Sequence, residues 1–138
     1  MLDEMTTFPS KKQIEQLIVA AEELLPKAYA PYSDFQVGAA LLSKQGNVYT
    51  GCNVENVSYG LSICAERNAI TTAVATEGKD LEIVAIAITN SRQVACSPCG
   101  ACRQFIQEFS QDAVVIFRNS SGWQTSSIRE LLPDGFNF

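Results

Sequence analysis

The sequence predicts an α/β fold: three layers, α-β-α, with helices on both faces of a mixed five-stranded sheet. Hydrophobic periodicity and turn signals give the element order α-β-β-α-β-α-β-β-α, which is the first observation behind it. The second is that Ile83 to Thr89 is nearly all β-branched or small apolar, the mark of a strand covered on both faces, with Val114 to Phe117 a further buried strand. The third is that no repeat, low-complexity segment or linker interrupts the 138 residues. Residues 1–138 therefore read as one domain, long enough to bury roughly 68–70% of the unfolded surface without disulfide staples.

Taken in order, Ser10 followed by Gln13 is a capping box, and it opens an amphipathic helix through about Ala28. Its apolar stripe is Ile14, Leu17, Ile18, Ala21, Leu24 and Leu25. Ala30 to Ser33 is a loop. Gln36 to Leu42 and Val48 to Asn53 are strands, joined by the hairpin signal Lys44-Gln45-Gly46-Asn47. A polar loop from Glu55 to Ser62 leads to a helix from Cys64 to about Glu77, ended by Gly78. The strand Ile83 to Thr89 is followed by a loop from Asn90 to Pro98 and a helix from Cys99 to Phe109. Val114 to Phe117 then turns through Asn119 to Gly122 into a fifth strand around Trp123 to Thr125. A last helical turn, near Ile128 to Leu132, stops at Pro133 and leaves a short tail ending at Phe138.

Composition excludes several classes of function. A protein that tracks a phosphate backbone needs clustered cations, whereas here the net charge is -5 and the ten basic residues are scattered. Chemistry on a nucleic-acid polymer is thus disfavoured against a small, uncharged substrate. No apolar run approaches the roughly 20 residues of a membrane helix. The start, Met1 to Pro9, carries Asp3 and Glu4 and lacks the pattern of a secretory signal, which points to the cytoplasm. Five cysteines in such a chain suggest metal binding or catalysis rather than a disulfide framework. The chain has no histidine, so Ser–His and Cys–His nucleophile pairs are excluded and any metal site must use thiolates and carboxylates.

Two segments carry the chemistry: Cys64-Ala65-Glu66 and Ser97-Pro98-Cys99-Gly100-Ala101-Cys102. Each lies where the chain enters a helix, so a thiolate there meets the positive end of the helix dipole. Cys99 and Cys102 share the first helical turn and can chelate one ion. Cys64 makes a third ligand. Three protein ligands leave zinc an open position, the mark of a catalytic rather than a structural site. Zinc can lower the pKa of a bound water from 15.7 to about 7. Glu66, two residues after Cys64, is placed to take that proton as hydroxide attacks, then to deliver protons to the ring nitrogen and the departing amine. Three thiolates on a divalent ion leave the centre negative, which opposes that acidification. Arg67 and Arg103, each directly following a site segment, are expected to offset it by donating hydrogen bonds to the sulfurs.

Cys64-x-Glu66 with Pro98-Cys99-x-x-Cys102 matches the three-cysteine form of the zinc-deaminase signature. From about Lys11 onward the chain resembles the small, homotetrameric cytidine deaminases. The resemblance is carried by 30–40 (APYSDFQVGAA), 51–56 (GCNVEN), 64–67 (CAER), 97–104 (SPCGACRQ) and 130–133 (ELLP). It implies a cytidine deaminase-like fold and one zinc ion per chain. It also implies hydrolysis of cytidine and deoxycytidine to uridine and deoxyuridine with release of ammonia, a step of pyrimidine salvage. It further implies that Asn53 and Glu55 bind ribose hydroxyls, that Phe35 stacks on the base, and that backbone groups at Ala65 and Ser97 read the pyrimidine edge. Tyr59 and Phe136 match positions that the family contributes to a neighbouring subunit's pocket. Asp134-Gly135 before Phe136 departs from the small residues frequent there. Cys52 reads as a packed strand thiol.

Three rivals bear on the reading. Cys96-x-x-Cys99-x-x-Cys102 resembles part of an iron–sulfur run, but the fourth cysteine that run needs is Ile106 here. A structural zinc module is the same rival without the cluster, and loss of activity with retained zinc in Glu66→Gln would separate a catalytic metal from it. A deaminase of an aminonucleoside antibiotic such as blasticidin S shares the metal motif, and Asn53 with Glu55 favours a ribose-bearing substrate over it. A polynucleotide-editing deaminase would need a basic channel.

Overall fold

The computed structural model describes residues 8–110 and 112–136. The expected tail residues Asn137 and Phe138, and the N-terminal stretch before Phe8, lie outside the described residues. Helix α1 spans Lys11–Glu23 and opens as the sequence predicts. The Ser10 hydroxyl accepts the Gln13 N–H at 3.1 Å, and the Gln13 side chain accepts the Ser10 N–H at 2.8 Å. It closes earlier than the expected Ala28, giving way to a 3-10 turn over Leu25–Lys27. The cause is Pro26, which has no N–H to give the α ladder and forces the chain to tighten.

Strands β1 (Val37–Ser43) and β2 (Val48–Cys52) form the expected hairpin. Helix α2 is Ala65–Glu77, β3 is Ile83–Asn90 and α3 is Gly100–Glu108. Strands β4 (Val114–Asn119) and β5 (Gly122–Ser127) form a second hairpin, and α4 is the single turn Ile128–Leu131. The fifth strand is longer than its sequence signal because Arg118 and Asn119 still pair across the turn with Trp123 and Gly122. One five-stranded sheet results, ordered β2-β1-β3-β4-β5. Only β3 and β4 run parallel, with α3 in the connection between them. The other three pairings are antiparallel, so the sheet is mixed as predicted.

Period-two alternation divides the core into two layers. Ala39, Leu41, Ile86, Ile88, Val115 and Phe117 face α2, α3 and α4. Ala40, Leu42, Ala85, Ala87, Val114 and Ile116 face Leu17 and Ala21 of α1. Each fully buried Leu or Ile contributes about 1.5–3 kcal/mol relative to exposure, so these two faces hold the layers together. Small residues set how near the helices come. A Cβ at Gly38 would lie 2.1 Å from the Ala21 carbonyl oxygen, and one at Gly51 would lie 2.4 Å from the Ala69 nitrogen. The first glycine seats α1 and the second seats α2. Seating α2 on β2 is what fixes the site, because Cys64 and Glu66 stand at that helix's start. Among the described residues, no helix is long and apolar enough to cross a membrane.

Candidate metal centre and active site

Cys64 and Cys99 are the N-caps of α2 and α3, both with extended backbone, and Cys102 lies in the first turn of α3. Pro98 is buried beneath the second ligand segment. Neither cap thiol accepts a backbone N–H at the start of its own helix, so the sulfurs are available to a shared point. There Cys64, Cys99 and Cys102 bring their sulfurs within 4.8 Å of one another. Zinc–thiolate bonds of about 2.3 Å in a tetrahedron imply sulfurs roughly 3.8 Å apart, so the three fit one zinc ion. Two helix N-termini meet at the cluster and favour negative charge there.

The cluster's own electrostatics favour ionising one sulfur of a pair. Cys64 is drawn down to about 5, chiefly by a hydrogen bond from Cys102 and further by Arg67, against the opposing effect of burial. Cys102 is driven far up, because it is the donor to Cys64 and is buried beside Glu66. A divalent cation would supply the charge that lets all three ionise, which is the chemistry of a thiolate zinc site. Cys96 is half-buried and stands outside the trio, with its thiol pushed up first by burial and then by Glu66 and Cys64.

Glu66 is the second residue of α2 and is 5% exposed. Burial is the main reason its carboxyl is pushed up to about 7, and the neighbouring Cys64 adds to it. A carboxyl at that value can take and give a proton near neutral pH. Arg67 reaches Cys64 as expected, its guanidinium donating to Sγ at 3.5 Å. Its Nε is buried with no partner among the described residues. Arg103 departs from expectation. It donates to the Pro98 carbonyl at 2.8 Å, the Leu131 carbonyl at 2.9 Å and the Ser97 hydroxyl at 3.1 Å. It therefore braces the ligand loop against the end of α4, and its bonds go to oxygens rather than to a thiolate.

Of the residues implied in substrate binding, Asn53, Glu55 and Tyr59 contact the turn that carries Phe35. Asn53 accepts the Val37 N–H and donates to the Phe35 carbonyl, both at 2.9 Å. Glu55 accepts the backbone N–H groups of Tyr32 at 3.0 Å and Ser33 at 3.1 Å, and also the Ser33 hydroxyl. These bonds, the hydroxyl's first, hold its carboxyl below the usual range. Both residues thus shape the segment that carries Phe35, a task the sequence did not reveal. Tyr59 is exposed and meets Tyr32 edge-on at 6.0 Å. Ala65 is buried at the first position of α2, where a backbone N–H has no partner within the helix. Ser97 is exposed and bonded to Arg103. Phe136 exposes its ring, while its N–H donates to Gln104 at 3.0 Å and its carbonyl accepts from Gln104 at 2.8 Å. Sequence reasoning passed over Ser33 and Gln104, whose contacts cross 22 and 32 residues of chain.

Residues 11–118 match the family model described as the cytidine and deoxycytidylate deaminase zinc-binding region. The chain belongs to that deaminase family. It is 45% identical over 124 residues to a cytidine deaminase from Halalkalibacterium halodurans, covering 88% of this chain and 92% of that one. A probable cytidine deaminase from Dictyostelium discoideum is 42% identical over 128 residues, covering 93% and 86%. The crystal structure of cytidine deaminase from Burkholderia pseudomallei superposes with a TM-score of 0.79 at 44% identity, covering 88% of this chain and 98% of that one. For a deaminase of this family, three thiols at two helix starts beside a buried carboxyl form a coherent metal centre.

Proposed function

We propose that the chain hydrolyses cytidine and deoxycytidine to uridine and deoxyuridine, releasing ammonia. The observation that carries this is the convergence of three cysteine sulfurs beside the buried carboxyl of Glu66. Cys64, Cys99 and Cys102 hold one zinc ion. When bound, zinc supplies the Lewis acidity that makes water a competent nucleophile near neutral pH. Glu66 accepts a proton from the attacking water and returns it to the ring nitrogen, then takes the second proton from the newly added hydroxyl and delivers it to the leaving amine. Water adds at the carbon bearing the amino group, and that carbon–nitrogen bond breaks. Arg67 withdraws negative charge from Cys64.

On the substrate side, Phe35 stacks on the base, and Asn53 and Glu55 bind the sugar hydroxyls. Backbone groups at Ala65 and Ser97 read the pyrimidine edge. Tyr59 and Phe136 complete a neighbouring subunit's pocket in a homotetramer. Exposed apolar side chains at Tyr29, Val54, Val57, Tyr59 and Leu61, the first two residues joined by a β-bridge, support that assembly, since exposed apolar surface favours burial against another chain. The location is cytoplasmic, and the substrate is a free nucleoside rather than a polymer; scattered basic residues and a net charge of -5 support the second point.

The test is a spectrophotometric assay of purified protein with cytidine, deoxycytidine, cytosine and blasticidin S, alongside a metal count. Turnover of both nucleosides with one zinc per chain is expected. Turnover of blasticidin S alone, or a full zinc complement with no turnover of any of the four, would overturn the proposal.

A further inference from the structure

The turn that carries Phe35 is gripped by two opposite charges. Glu55 takes its N–H groups, as described above. Its carbonyls are taken by Arg92, in the loop after β3: one guanidinium nitrogen donates to Ser33 at 3.1 Å and to Asp34 at 3.2 Å. The same guanidinium lies over the Phe35 ring, 5.4 Å from its centroid, within the reach of a cation–π contact. Phe35 remains partly exposed with that cover in place. Between the two charges, Asp34 adopts φ +55°, a left-handed conformation that Asp tolerates better than most non-glycine residues and that suits a tight turn.

Arg92 is itself delivered by a built loop. Asn90, 2% exposed at the end of β3, accepts the N–H groups of Arg92 and Val94, each at 3.1 Å, and donates to the Val94 carbonyl at 2.9 Å. Ser91 ties the loop to the residue after Phe35. Its N–H donates to the Gln36 carbonyl at 2.9 Å, and its hydroxyl donates to the Gln36 side chain at 2.7 Å while accepting the Gln36 N–H at 3.2 Å. A surface arginine with no task would not need such a mount.

We propose that Arg92 is a positioning residue for substrate binding: through two backbone carbonyls and the ring face, it fixes the turn and the tilt of Phe35 against the pyrimidine. The proposal rests on the deaminase reading above. Arg92 touches neither the metal ligands nor Glu66, so its effect falls on binding rather than on chemistry.

The experiment pairs amide hydrogen exchange with steady-state kinetics on the zinc-loaded protein. In Arg92→Ala, exchange across residues 32–36 is expected to quicken roughly tenfold. The KM for cytidine is expected to rise roughly three- to tenfold, with kcat within about twofold and one zinc per chain retained. Arg92→Lys restores part of the KM, because it keeps a charge and a donor without the planar fork. Added to Phe35→Leu, the Arg92→Ala change raises KM little further, because both act through one contact. Unchanged exchange in the turn, unchanged KM, or fully additive effects in the double variant would each overturn the proposal. A wild-type protein inert to cytidine would overturn the deaminase reading instead, and the exchange data would still decide whether Arg92 holds the turn.

Discussion

At the scale of single residues, Glu66 and Arg67 stand side by side at the start of α2 with opposite tasks. Burial costs a carboxylate its hydration, so the neutral form of Glu66 persists to near pH 7. Glu66→Gln keeps the shape and a hydrogen-bonding head but cannot accept a proton. It is expected to retain zinc and fold while losing about 10²–10⁴ in kcat, measured by cytidine turnover beside a metal assay. Arg67 holds the Cys64 sulfur by a hydrogen bond, and Arg67→Ala is expected to cost about 10–100-fold in activity or zinc affinity. Unchanged kinetics and zinc binding would reject that role. The three-sulfur site was legible in the sequence because Cys99 and Cys102 share one helical turn and Cys64 opens a second helix in the matching motif. Arg103 was not, because proximity in sequence to Cys102 does not fix where a long side chain points. It is drawn instead to three oxygens, on Pro98, Ser97 and Leu131.

At the scale of elements, the site depends on where α2 lies on β2. Gly51 makes the closest approach: an added Cβ would meet the Ala69 nitrogen at 2.4 Å, the Ala65 carbonyl oxygen at 2.7 Å and the Asn68 carbonyl carbon at 2.9 Å. These are backbone atoms and cannot swing away. Gly51→Ala is expected to destabilise the fold by about 1–3 kcal/mol and to weaken zinc retention, read by a thermal melt and a metal count. The far end of α2 is tied by Glu77. One of its oxygens accepts from Ser43 at 2.6 Å and from Asn47 and Tyr49 at 2.9 Å each. Those bonds, Ser43's first, hold its carboxyl below the usual range. A lowered folded-state pKa means that this stability is present above the ordinary carboxylate value and lost as pH falls through the folded one. Glu77→Gln is therefore expected to lower the urea midpoint at neutral pH, with the gap to wild type narrowing from about pH 5 toward pH 3. A gap independent of pH would contradict it. Element types were readable throughout, since alternation and helical spacing are local signals. The end of α1 was not, because Pro26 outweighs an apolar stripe that runs on to Leu25.

For the whole molecule, the layer order follows from two apolar faces on one sheet, and both faces could be read from the strands' composition. What the sequence left hidden was the network that joins distant loops. The resemblance implied sugar binding by Asn53 and Glu55, but their bonds to Val37, Phe35, Tyr32 and Ser33 exist only once β2 lies beside β1. Long-range polar contacts leave no periodicity behind. The account as a whole requires that one zinc ion, held by cysteines from two helix starts, be necessary for reaction at a carbon bearing an amino group. Dialysis against a chelator, followed by stoichiometric return of zinc, tests this directly in the cytidine assay. Turnover should vanish with the metal and return in proportion to zinc, saturating at one ion per chain. A metal-free chain that still deaminates cytidine at the full rate would contradict it.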